Sequence, residues 1–260
     1  MTERVRLDRR GRIAELVLNR PDKLNAIDHD TLVQLEGALT AAEADREIRV
    51  LVVRGEGRAF CAGADLGAVD DKVGDAGRLA AHLDLWHRAF GHLTDSPLPS
   101  IAAVHGVAFA GGFELMQACD FVVVADDARI GDQHATYGLF PGGGGSQRLP
   151  RIIGERRAKW LMCSGATIDP RDALAAGLVN AVRPAGEVLD HAREMAGVLA
   201  RRSPVVTARV KRAVRLGMAS GLAGGLEIER LLALEHMTSK DSRIGLAAFA
   251  SRTVPEFVGE

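Results

Sequence analysis

The chain has 260 residues, enough to bury the core of one domain with a smaller appended region. Its 33 lysines and arginines balance 34 acidic residues, so no basic field points to nucleic acid and no charge block points to a disordered tail.

The N-terminal MTERVRLDRRGR is charged where a signal peptide needs an apolar stretch, so a cytoplasmic protein is expected. Ile13–Leu18 reads as a strand, followed by the turn Asn19-Arg20-Pro21-Asp22. Asp28 is the expected N-cap of a helix with Leu32, Leu35 and Leu39 on one face. A strand over 50–53 runs into Gly55-Glu56-Gly57, and a helix over 76–93 ends before Pro97-Leu98-Pro99. A strand over 101–104 follows, then a helix opened by Gly111-Gly112, then a strand over 121–124. None of these apolar runs is long enough to cross a bilayer, so no membrane partner is expected. This alternation is the pattern of stacked β/α units. After Pro150 the pattern turns helical, with helices expected over 156–163, 170–176, 188–201, 205–217 and 226–237. This last third reads as an extension that docks on its own core, on another subunit, or on both.

Three cysteines, Cys61, Cys119 and Cys163, are odd in number and widely spaced, which suits a reducing compartment and offers no CxxC zinc pair. Cys61 is read as a small buried residue. His82, His87 and His92 recur every five residues on one helix, so successive rings point away from each other and cannot share a metal. They are read as solvated or capping, and no metal is expected.

Two glycine-rich segments are candidates for chemistry. In the first, VHGVAFAGGFELMQACD, paired glycines open a helix whose first turn holds Glu114. Glycines let a ligand approach the backbone, and free N–H groups at a helix start suit an oxygen that becomes anionic during reaction. The competing reading is tight packing by Gly-Gly with Glu114 complementing the helix dipole. In the second, GLFPGGGGSQRL at 138–149, neither GxxxxGK[ST] nor GxSxG is present, so a turn leading into a helix is favoured and Ser146 is a poor nucleophile.

Together these segments resemble the enoyl-CoA hydratase/isomerase (crotonase) family over nearly the whole chain. LNRPDKLNAI at 18–27 resembles the family's early coenzyme A turn, and GRAFCAGADL at 57–66 its first oxyanion-hole loop. IAAVHGVAFAGGFELMQACD at 101–120 resembles the second such loop, GLFPGGGGSQRLPRIIG at 138–154 the glycine-rich helix start, and SGATIDPRDALAAGLVNAV at 164–182 the helix and turn that follow. The resemblance implies an α/β fold, a crotonase-like spiral of ββα units over 1–195, with a C-terminal helical trimerisation region over 196–260. It implies a homotrimer or hexamer, with an acyl-coenzyme A thioester as substrate rather than a resident cofactor. By position, Ala64 and Gly111 supply the oxyanion-hole amides, and Lys23, Ala26, Ala62, Asp65 and Leu66 line the coenzyme A channel. Phe249 and Arg252 match contacts to the adenine and phosphate side, often made across subunits; helix packing is the alternative for Phe249.

One departure bears on the reaction. Hydratases of the family set two glutamates around one water, and Glu114 matches the first. The second position, seven residues before Pro141, is His134, with Gln133 in place of the usual proline. Asp132, two residues away, is expected to point elsewhere. Glu114 as base and His134 as protonated acid form a workable hydrating pair, since imidazole titrates near neutrality and a buried anionic neighbour raises its pKa. The preferred expectation is a lyase adding water to a 2-enoyl-CoA. Decarboxylation of a malonyl-type thioester, which needs chiefly an oxyanion hole and a proton donor, is the second reading. A non-catalytic acyl-CoA-binding protein is the third. Gly142 stands where hydrolase and dehalogenase subfamilies carry an aspartate, which weakens those activities. The stretch around 67–95 and the C-terminal helices are expected to wall the acyl pocket.

Overall fold

The computed structural model describes residues 2–67 and 74–260, so residues 68–73 of the expected pocket-wall stretch lie outside it. Strands β1 (Val5–Arg10) and β2 (Ile13–Leu18) form an antiparallel hairpin around Gly11, whose φ of +62° is one that glycine adopts freely. The sequence reading has no strand over Val5–Arg10. Four of its six residues are charged, and it lies at a sheet edge, where charge on the strand discourages further pairing.

From β2 the sheet grows by parallel additions: β3 (Val50–Gly55), β4 (Ser100–Val104), β6 (Phe121–Ala125) and β9 (Ala181–Arg183), in the order β1-β2-β3-β4-β6-β9. Their valine- and isoleucine-rich residues are buried on both faces, as parallel strands require. A smaller sheet joins β5 (Val107–Phe109), β7 (Arg129–Gly131) and β8 (Thr167–Ile168). The chain therefore visits the large sheet, then the small one, then a helix, and repeats, giving the expected spiral. Strands β5, β7 and β8 hold at most three residues each, too few to show a period in the sequence.

Helix α1 (His29–Ala44) begins where expected: the Asp28 carboxylate accepts the Thr31 N–H at 2.9 Å, and Leu32, Leu35 and Leu39 are buried. Helix α2 (Ala76–Asp95) buries His82, Leu85, Trp86, Ala89, Phe90 and Leu93 along one stripe. Helices α3 (Gly111–Ala118), α4 (Gly145–Ile153), α5 (Glu155–Ser164) and α6 (Pro170–Ala175) follow in the turns of the spiral. Helix α7 (Val188–Ala200) lies across β2, β3, β4 and β6 with Ala192, Ala196 and Ala200 buried, so residue 195 falls inside a helix seated on the sheet. Helices α8 (Pro204–Met218), α9 (Leu222–Met237) and α10 (Lys240–Ser251) complete the chain. Among the described residues no helix is long and apolar enough to cross a membrane.

One buried charge ties these layers together. Glu15 on β2 is fully buried and accepts from Arg54 of β3 at 2.9 Å and from Arg193 of α7 at 2.8 Å, with Arg10 of β1 also at 2.8 Å. Burial pushes its carboxyl pKa up, but the Arg54 and Arg193 guanidiniums outweigh burial and hold it below the ordinary value. Its stabilisation is therefore present at neutral pH and lost as pH falls through that lowered pKa. Glu15→Gln should cost about 2 kcal/mol in urea unfolding at neutral pH, because the guanidiniums lose their counter-charge. The gap to wild type should narrow in acid.

Candidate active site

The site is assembled by two loops zipped against each other. The chain leaves β2 through a 3-10 turn, Pro21–Lys23, and two left-handed residues, Leu24 and Asn25. The Asn25 side chain accepts the Arg20 N–H and donates to the carbonyls of Glu56 and Ala59, locking this turn to the loop after β3. Arg20, itself buried, holds the Ala26 carbonyl at 2.6 Å and the Asp65 carboxylate at 2.8 Å. Further along, Ile27 pairs with Ala64 as a parallel bridge: the Ile27 N–H donates to Gly63 and the Asp65 N–H donates to Ile27. That pattern uses the carbonyl before Ala64 and the N–H after it. The Ala64 N–H is left on the opposite side.

Gly111 meets it there. After β5, Ala110 adopts φ 47° and ψ −119°, a strained conformation for a residue with a Cβ, and helix α3 starts at Gly111. A Cβ on Gly111 would stand 3.4 Å from the Ala64 nitrogen and 2.5 Å from Cη2 of Trp86. Among the described residues neither the Ala64 nor the Gly111 N–H has a hydrogen-bond partner. Two free donors thus lie side by side beneath the Trp86 ring. Gly112 answers to packing instead, since a Cβ there would fall 2.2 Å from the Cys61 carbonyl oxygen. Tight packing, one of the two readings of the Gly-Gly pair, therefore holds for Gly112, while Gly111 keeps an N–H with no partner among the described residues.

Glu114, in the first turn of α3, is almost wholly buried. Its Oε1 accepts the N–H groups of Gly143 and Gly145, each at 2.8 Å, so the carboxylate caps the N-terminus of α4. Oε2 has no bond among the described residues. Burial raises the carboxyl pKa, and the Gly145 bond, the His134 charge and the Gly143 bond pull it down less than burial lifts it, so it stands above the ordinary value. The second glycine-rich segment is thus a helix start, as expected, and it also clamps the carboxylate.

His134 begins a 3-10 turn, His134–Tyr137, after Gln133 in the left-handed conformation. That turn bends the chain back on itself, and Asp132 points at His134, against expectation. Asp132 Oδ1 lies 2.9 Å from His134 Nδ1 and 3.3 Å from its backbone N–H, with the carboxylate fully buried. Burial lowers the imidazole pKa, but the Asp132 bond and charge, with a smaller push from Glu114, carry it above the ordinary value.

Ala64, Gly111, Glu114 and His134 line one cavity of about 280 Å³. Its remaining wall is mostly apolar, with Leu66, Leu83, Trp86, Leu139 and Phe140. His82 lines it too: buried on α2, it accepts the Trp86 indole N–H at 3.0 Å, which corrects the solvated or capping reading. His87 is exposed, and His92 pairs with Glu43 at 3.1 Å. Among the described residues no three His, Cys, Asp or Glu side chains gather as a metal would require.

The enoyl-CoA hydratase/isomerase family profile matches residues 8–260. The chain belongs to this family. It is 38% identical to the 2,3-dehydroadipyl-CoA hydratase of Escherichia coli K12 over 97% of this chain and 98% of that protein. It is 31% identical to a crotonyl-CoA hydratase of Syntrophomonas wolfei, over 99% of both. Its fold superposes on the crystal structure of an enoyl-CoA hydratase from Bacillus anthracis with a TM-score of 0.93 at 32% identity, over 99% of this chain and 100% of that one. The architecture is the crotonase spiral.

Of the other positions the family suggests, Lys23 is exposed on the 3-10 turn, and Ala26 and Ala62 lie in the zipped loops, where the Ala62 N–H donates to Leu24. Asp65 is engaged by Arg20, and Leu66 is on the cavity wall. Phe249 and Arg252 are exposed at the end of α10 and are not brought to the cavity within this chain. Cys61 is buried, with its thiol pKa pushed up to about 12 by burial, which suits packing and not chemistry. The sequence reading missed Asp132, the amides of Gly143 and Gly145, and the buried Arg20. Only an acid two residues from His134 left any signal, and its direction depends on the left-handed Gln133. Gly112→Ala should destabilise the fold by about 1–3 kcal/mol in urea unfolding, because two backbones would have to separate to admit the methyl group.

Proposed function

We propose that the protein is a lyase adding water across the 2,3 double bond of a 2-enoyl-CoA, with Glu114 as base and His134 as acid. The observation that carries this is the pair of free N–H groups at Ala64 and Gly111 on a cavity wall, one helical turn from a carboxylate with a single bonded oxygen. The hydratases among its relatives support the same reading.

In this scheme the thioester oxygen accepts from the Ala64 and Gly111 amides. Glu114 Oε2 takes a proton from water as the water oxygen bonds to C3, and the π electrons of the double bond move into a C2–C1 enolate whose charge rests on those amides. His134 then donates a proton to C2, the thioester carbonyl reforms, and the elements of water have been added. A proton passing from Glu114 back to His134 through solvent resets the site. His134 thus takes the place of the family's second glutamate, and the leucine and phenylalanine wall supports an apolar acyl chain.

Residues 196–260 are taken as the surface by which copies assemble into a trimer or hexamer. Exposed Val210, Val214, Met218 and Leu222 on α8 and α9 support this, and it would give Phe249 and Arg252 a neighbouring channel to serve.

The test is hydration of crotonyl-CoA and longer 2-enoyl-CoAs. Glu114→Gln should lower kcat by about 10²–10⁴-fold. Full activity in that variant would sink the assignment. Release of carbon dioxide from a malonyl-type thioester without hydration would favour decarboxylation, and binding without any turnover would favour a carrier. The kcat/KM profile should be bell-shaped, because hydration needs Glu114 ionised and His134 protonated. Its acid limb should follow a carboxyl pKa above the ordinary value, and its alkaline limb an imidazole pKa above the ordinary value.

A further inference from the structure

A fully buried carboxylate needs a partner for its charge, and Asp132 has one candidate. Among the described residues the only side chain it pairs with is His134, and its second oxygen, Oδ2, is buried with no hydrogen-bond partner. Oδ1 is given to His134 twice, at Nδ1 and at the backbone N–H. The arrangement is held from outside the pair. Gln133 is left-handed, its side-chain amide donates to the Gly165 carbonyl, and the Leu139 N–H donates to the His134 carbonyl. With Nδ1 committed to Asp132, Nε2 is the ring nitrogen left for the cavity that His134 lines.

We propose that Asp132 is a positioning residue that holds His134 by Nδ1–H and keeps the imidazole protonated, so that Nε2–H is presented to the cavity as the acid for C2. The acid role rests on the hydratase reading, whereas the pairing does not. The charged groups acting on the imidazole are Asp132, two residues before it, and Glu114 on α3; His82 of α2 lines the same cavity. Asp132 is the stronger of the two carboxylates in its effect on His134, and it acts in the direction the proposal needs. A glutamate acid keeps its proton through burial or a neighbouring negative charge. An imidazole with a buried counter-charge keeps it through pairing, and so extends the working range toward higher pH.

The experiment is nitrogen NMR of histidine-labelled protein, with His134 assigned from the spectrum of His134→Gln, alongside steady-state kinetics. In wild type, the His134 signals should show an imidazolium that titrates above an ordinary histidine and, once neutral, carries its proton on Nδ1. Asp132→Asn should lower that titration by about one pH unit or more and shift the alkaline limb of kcat/KM to lower pH by the same amount. It should also reduce kcat on the order of 100-fold with KM unchanged. In a His134→Gln background, Asp132→Asn should cost little more, whereas a merely structural role would reduce activity in both backgrounds. An ordinary His134 titration in wild type, or a neutral ring protonated on Nε2, overturns the proposal even if Asp132→Asn fails to fold. So does a variant whose titration and pH limb do not move. Expected NMR behaviour without hydration of any 2-enoyl-CoA by wild type would uphold the pairing and overturn the hydratase reading.

Discussion

The site depends on one carboxylate oxygen bonded to two backbone amides. Glu114 Oε1 takes the N–H groups of Gly143 and Gly145, and those amides belong to the N-terminus of α4. Each bond to an ionised acceptor contributes roughly 1.5–3 kcal/mol, which offsets part of the cost of burying the charge. The same bonds fix which oxygen is left over. Both glycines are required by contact: a Cβ on Gly143 would meet Oε2 at 2.6 Å, and one on Gly145 would meet the Glu114 side chain at 3.0 Å. The glycine run is therefore a mould around a carboxylate and not a phosphate cradle. Because burial still outweighs these bonds, the carboxyl pKa is raised, and a raised pKa makes a better base for water.

The electrostatics of the site follow from where the second carboxylate lies. Asp132 raises the Glu114 pKa while His134 lowers it, and both carboxylates raise that of His134. In the proposed reaction the two shifts act together, Glu114 becoming a stronger base while His134 holds its proton. An apolar residue at 132 would leave His134 governed by burial, which favours the neutral ring. Arg148, half-buried behind the glycine loop and donating to the Gly143 carbonyl, feels the Glu114 charge without forming an ion pair with it, so the carboxylate is not quenched.

What could be read in the sequence and what could not divide along physical lines. The parallel strands and the amphipathic helices were legible because burial on a sheet or along a helical stripe imposes a composition or a period. Strands β5, β7 and β8 impose neither, and β1 is charged because it is an edge. Gly111 and Ala64 were legible through family motifs, and Glu114 through its place in a helix's first turn. Asp132 was not, since the direction of a side chain two residues from a histidine depends on a single backbone torsion, the positive φ at Gln133, where glycine or asparagine would have been the expected signal. His82 misled for a related reason. Its five-residue spacing from His87 correctly excludes a shared metal, yet says nothing about which of the three rings faces the core.

The two halves of the proposed chemistry are also mechanically joined. The Ala110 N–H donates to the Gly131 carbonyl at 3.2 Å, and the Ala110 carbonyl accepts the Glu114 N–H at 2.9 Å. Ala110 immediately precedes the Gly111 donor, and Gly131 immediately precedes Asp132. Gly131 in turn has no room for a side chain, since a Cβ there would lie 2.8 Å from the Ala166 carbonyl oxygen. The strained torsion of Ala110, costing about 1–3 kcal/mol, is thus what lets one residue set the direction of the Gly111 N–H, begin the helix that carries Glu114, and tie both to the strand that leads into Asp132 and His134. In the proposed reaction the separation of Glu114 and His134 is set by these backbone hydrogen bonds together with those that hold the two side chains, to Gly143 and Gly145 and to Asp132. Such a constraint suits a reaction that adds two parts of water to adjacent carbons.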